Sequence, residues 1–167
     1  MKQLYILLTL ISYFNFHGQV SKRELEAVLE ETLLKARNAV PTAENSWRYD
    51  NTNQDYFKSD TIVLNTARSY IQNYCKEIRW SFYEKQSLVL ENTPECTEPP
   101  TMLLPTKNDS IHLKCKEKNN DLFLTLKNHK GVTDKFKVIE LRRNKPIESE
   151  WYAYDYTLIL ARIKVEE

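Results

Sequence analysis

The sequence predicts an α+β domain, with two N-terminal helices packed on one face of a mainly antiparallel sheet of four to six strands. Apolar residues recur at helical spacing early in the chain and at alternate positions from Ser110 onward. Helices grouped before strands disfavour a parallel βαβ sheet. The stretch Trp151–Val165 is apolar or aromatic at both parities over most of its length, without Gly or Pro, which marks a central strand covered on both faces.

The chain opens with Lys2 and an uncharged apolar run from Leu4 to Phe16, followed by His17-Gly18-Gln19. A short positive start, an apolar run and a small residue describe a secretory signal peptide, so residues 1–18 are expected to be removed and 19–167 to form a single α+β domain. The run is shorter than the roughly 20 apolar residues of a membrane-spanning helix. The expected product is exported, periplasmic or secreted, with no membrane span in the mature chain. Export removes Lys2 alone among the charged residues, leaving 23 basic residues against 23 acidic ones. That balance, with no block of like charge along the sequence, predicts no nucleic-acid partner.

Ser21 and Glu24 have capping-box spacing, flanked by Val20 and Leu25 in hydrophobic-staple positions. Leu25, Val28, Leu29, Leu33, Ala36 and Val40 continue as one helical stripe that Pro41 ends. Residues 42–59 read as a polar, irregular connection that nevertheless carries Trp47, Tyr49, Tyr56 and Phe57. Those rings either plug the end of the core or form a rim over a pocket. A second helix is expected from Asp60 toward Arg79, on a stripe of Val63, Ala67, Tyr70, Ile71, Tyr74, Cys75 and Ile78.

After that the period changes. Trp80, Phe82, Leu88 and Leu90 share parity, as in an interrupted strand or a small hairpin. Four prolines in residues 92–109 exclude regular helix or central strand there and predict a stiff covering loop around Cys96. The meander begins at Ser110, with Ile111, Leu113 and Cys115 on one face and His112, Lys114 and Lys116 on the other. Turns are expected at Glu117–Asn120 and Asn128–Thr133. The parity change from Phe136 and Val138 to Ile139 and Leu141 predicts a β-bulge or two covered faces.

Catalytic constellations are sparse. Two glycines in the whole chain exclude phosphate-cradling loops of the P-loop or dinucleotide type. Beyond the leader, His112 and His129 are the only histidines, and neither they nor the cysteines have metal-ligand spacing, so no metal or cofactor is expected. Asp155 is the one carboxylate on an otherwise apolar strand face, where burial would raise its pKa. Three cysteines in an exported chain allow one disulfide, and Cys96, in the proline-rich loop, is expected to pair with Cys75 or Cys115.

The functional expectation is an exported, non-catalytic binding or interaction module for a protein or small-molecule ligand. Its candidate contacts are Trp47, Tyr49, Tyr56 and Tyr152. The alternatives are a small hydrolase using Asp155 with a distant His or Tyr, and a structural envelope component.

Overall fold

Eight strands, all paired antiparallel, close into a barrel in the order β1-β2-β8-β7-β6-β5-β4-β3. The computed structural model describes residues 20–33, 46–66, 76–93, 106–144 and 155–164. Within them lie one helix, α1 (Lys22–Glu31), and the strands β1 (Trp47–Asp50), β2 (Thr61–Thr66), β3 (Glu77–Glu84), β4 (Ser87–Thr93), β5 (Ser110–Lys118), β6 (Asp121–Asn128), β7 (Gly131–Asn144) and β8 (Asp155–Arg162). The expected two-helix α+β sandwich is therefore replaced by an all-β barrel with a single short helix among the described residues.

The difference arises in residues 47–66. Trp47 and Tyr49 face inward from β1 and alternate with Arg48 and Asp50, but four residues are too short to register as a period. In β2, Ile62, Leu64 and Thr66 are buried while Thr61, Val63 and Asn65 are exposed, a strict alternation. Three of its six residues, Thr61, Ile62 and Val63, form an unbroken β-branched run, which favours strand. The helical stripe expected from Asp60 to Arg79 thus begins and ends in strands; residues 67–75 lie outside the described residues. The two strands missed by the sequence reading are the two that close the barrel. β1 pairs with β3 through Trp47 opposite Trp80, and β2 pairs with β8 through Leu64 opposite Leu158.

The first helix, expected to run to Pro41, ends at Glu31 with Thr32 as its C-cap, and most of the expected covering loop, residues 94–105, lies outside the described residues; the strands expected after Arg79 appear. Trp80, Phe82 and Leu88 are buried on the β3–β4 hairpin. Ile111, Leu113 and Cys115 of β5 face Leu122, Leu124 and Leu126 of β6 along the inner wall. The β5–β6 turn is Asn119-Asn120, both with positive φ (52° and 66°), the type I′ geometry that matches strand twist. A bulge at Ile139 shifts the β7–β8 register between Val138 and Glu140, which accounts for the parity change. β8 covers part of the expected central strand: Tyr156, Leu158 and Leu160 point inward and Thr157 is buried on the outer side. Residues 151–154, including Tyr152, lie outside the described residues.

Eight strands make a lumen just wide enough for side chains to fill or for one small ligand. Here Ile62, Leu64, Trp80, Phe82, Leu113, Leu124, Phe136 and Leu160 belong to one buried cluster running through the lumen. Cys115 is a free, buried thiol on this inner wall, so it forms no disulfide with Cys96. Burial, with Glu26 nearby, pushes its pKa up to about 11, which keeps it protonated and unreactive. Cys75 and Cys96 lie outside the described residues, and no disulfide is present among the described ones.

Candidate functional site

One mouth of the barrel is covered by α1. Ser21 caps the helix by accepting a hydrogen bond from the Glu24 amide (3.2 Å), as the capping-box spacing required. Leu25, Val28 and Leu29 are buried, and Val20 packs against the same core. The contacts of the helix run right across the opening. The Lys22 amide donates to Glu117 at the end of β5 (2.6 Å), Lys85 of the β3–β4 turn pairs with Glu30 (3.6 Å), and Tyr156 of β8 donates to Glu31 (2.5 Å). Trp47 of β1 donates its indole N–H to Thr32 (3.2 Å), whose hydroxyl in turn donates to the Leu29 carbonyl (2.9 Å).

The opposite mouth is closed by an arginine. Arg162, at the end of β8, donates to the Asp134 carboxylate, to the Tyr56 carbonyl (2.6 Å) and to the Ser59 carbonyl (3.1 Å). Its guanidinium lies 4.9 Å from the Phe136 ring centre and 5.5 Å from that of Tyr56, so it is stacked as well as hydrogen-bonded. Tyr56 is fully buried and accepts a hydrogen bond from the Trp80 indole (2.8 Å). Its phenol pKa is driven far upward by burial. Burial also raises the Asp134 pKa, against the opposing pull of Arg162. The β1–β2 loop that delivers Tyr56 is held by its own side chains. Asp50 accepts from the Thr52 amide (3.0 Å), Asn51 accepts from the Tyr56 amide (3.1 Å), and Tyr49 donates to Asp55 (2.7 Å).

The expected binding residues therefore separate. Trp47 is buried under α1, Tyr56 is buried at the other mouth, and Tyr49 is half-buried beside it, ring centres 5.3 Å apart. Asp155 opens β8 opposite Asn144. His112 faces outward from β5, with β6 and β7 between its strand and β8. Among the described residues no group of three or more His, Cys, Asp or Glu side chains gathers as a metal site, and no helix is long and apolar enough to cross a membrane.

What the sequence reading did not find is on the outer wall. On β5–β6–β7 the register sets Lys114 opposite Thr125 and Thr125 opposite Lys135; beside this row it sets Lys116 opposite Phe123 and Phe123 opposite Lys137. His112 and Lys127 form a third cross-strand pair at one end. All these side chains alternate with inward-facing leucines, Cys115 or Phe136, so they share the outer face. Lys114, Lys116 and Lys127 are exposed, while Lys135, Lys137, Phe123 and Thr125 are half-buried. Asp121 pairs with Lys137 (2.8 Å) and is the one carboxylate bonded to these lysines among the described residues. The result is a lysine rail on β5 and another on β7, flanking a neutral centre on β6. The alternation of His112, Lys114 and Lys116 was visible in the sequence. Their meeting with Lys135 and Lys137 depends on register, which the sequence does not display.

Compared with known protein families, characterised proteins and solved structures, the chain matches none. The functional reading therefore rests on the barrel's own geometry.

Proposed function

We propose that this protein is an exported, non-catalytic binding module that holds an acidic partner on the lysine face of β5–β6–β7. The observation that carries the reading is five lysines from three adjacent strands on one patch of wall, against a single bonded carboxylate. Lysine is a poor strand former, and on edge strands it serves to prevent sheet-to-sheet pairing. Lys127, Lys135 and Lys137 have neighbouring strands on both sides and no edge to protect, whereas Lys114 and Lys116 stand where β5 runs past its pairing with β4. The wall formed by β3 and β4 shows the ordinary alternative, with signs mixed: Arg79 bonds Glu77 (3.2 Å) and lies 4.0 Å from Glu91. In a mature chain with equal numbers of acidic and basic residues, concentrating positive charge on one face makes the molecule strongly polar in charge. The export part of the reading is supported by Lys2 and the Leu4–Phe16 run.

The test is binding of purified protein to inorganic polyphosphate across a salt series. Binding should weaken as salt rises, and the slope of log affinity against log salt should fall by about 1 for each engaged lysine removed. The triple variant K114E/K116E/K135E should lose binding while keeping its thermal melt. Wild-type protein that ignores polyphosphate at low salt would overturn the reading.

A further inference from the structure

Resting on that reading of the face, we propose that its occupant is a linear acidic polysaccharide, lying along β6 with its anionic groups reaching the two lysine rails. Neighbouring strands stand about 4.8 Å apart, so the rails of β5 and β7 are roughly 10 Å from each other. Within a rail, alternate residues recur about every 7 Å. A sugar chain carrying carboxylates or sulfates at its edges presents charge on both sides of a narrow ribbon, which is the charge distribution the rails complement.

The centre of the face favours a sugar over other polyanions. Phe123 sits between Lys116 and Lys137, and Thr125 between Lys114 and Lys135. The C–H face of a pyranose ring stacks on the electron-rich face of a phenyl ring. The adjacent Thr125 hydroxyl offers both a donor and an acceptor to sugar hydroxyls. A single-stranded nucleic acid stacks successive bases on several rings. Among the described residues, Phe123 is the only phenyl, phenol or indole ring on the outer face of these three strands. An anionic bilayer is met best by apolar side chains protruding at the centre of the contact. Here the central ring is half-buried, and the exposed Val132 and Ile139 lie on β7, before Lys135 and after Lys137, not on the central strand of the face.

Titration calorimetry with polygalacturonate and dextran sulfate fragments tests the assignment, with neutral dextran, polyphosphate, phosphatidylglycerol vesicles and single-stranded DNA as comparators. Phe123→Leu keeps most of the side-chain volume and removes the ring, and its melt checks that the barrel is intact. The acidic polysaccharides should bind tighter than polyphosphate, the vesicles and DNA, and neutral dextran should not bind. Phe123→Leu should weaken the acidic sugars roughly threefold to tenfold and leave polyphosphate binding unchanged. Tighter binding of vesicles or DNA, or equal affinities unaffected by Phe123→Leu, would overturn the polysaccharide assignment and leave the anion-binding reading standing. Failure to bind any polyanion would remove both.

Discussion

At one mouth the barrel is shut by Leu25, Val28 and Leu29 of α1, and at the other by a guanidinium held between two rings. Both closures cover the lumen, but their energetics differ in kind. The helix contributes apolar burial, which tolerates adjustment because one methylene more or less changes a sum of small contacts. Arg162 and Asp134 are a part-buried ion pair, whose attraction must offset the desolvation of both partners. Such a pair fixes geometry more than it adds stability. It holds together the carbonyls of Tyr56 and Ser59, and so ties the β1–β2 loop to β8. The charged mouth should therefore be the more fragile to a single substitution and the more forgiving of a double one.

The sharpest way to break the comparison is Arg162→Met. It leaves Asp134 buried without its partner and should cost about 3–5 kcal/mol in urea unfolding. Adding Asp134→Leu should recover most of that loss, because an apolar pair needs no desolvation. A double variant as unstable as the single would show that the carbonyl contacts of Arg162, and not its charge pairing, close this mouth.

Leu29→Ala at the helical mouth should cost less, about 2–3 kcal/mol, since a helix lying on a rim can settle into part of the space left. No second substitution on the facing strands should rescue it as Asp134→Leu rescues Arg162→Met. A loss equal to that of Arg162→Met would erase the distinction between the two closures.

The smallest effect is in titration. Two aspartates near the charged mouth shift in opposite directions: hydrogen bonds from Thr52 lower the Asp50 pKa, and burial raises that of Asp134. For Asp134 the folded value lies above the unfolded one, so its contribution to stability is full below the unfolded pKa and is lost as pH rises through the folded one. For Asp50 the sign reverses, and its contribution is lost as pH falls through its lowered folded value. Carboxyl NMR titration of the two residues should place their midpoints on opposite sides of an ordinary aspartate. An Asp134 midpoint below that value would mean that Arg162 outweighs burial, and that the charged mouth is held by net attraction.

Sequence legibility follows the same division between regions. The strands β5 and β6 were readable because Ile111 to Cys115 and Leu122 to Leu126 each alternate long enough to show a period of two, and β8 because Tyr156 to Leu160 is apolar at nearly every position without Gly or Pro. The α1 cap was readable because Ser21 and Glu24 are local to one turn. The closing strands were not. β1 is too short to show alternation, and the apolar residues of β2 also fit a helical stripe when joined to the residues after Thr66. Arg162 read as the polar end of a strand, because a cation holds an inward position only through partners distant in sequence, at Asp134, Tyr56 and Ser59. The lysine face was invisible for a related reason. Its members are spread from Lys114 to Lys137 and are brought together by pairing register alone.

The strand order also sets a timetable for synthesis. Leu64 of β2 meets Leu158 of β8, so the outer edge of the first hairpin has no partner until nearly the whole chain has been made. At ordinary elongation rates the gap between those residues corresponds to roughly 5–20 s, far longer than a hairpin takes to form. Throughout that interval β2 presents a free strand edge of alternating apolar residues. The β8 of a neighbouring nascent chain carries the same complementary register as the chain's own. Pairing with the chain's own β8 is therefore the step that removes this open edge of the sheet.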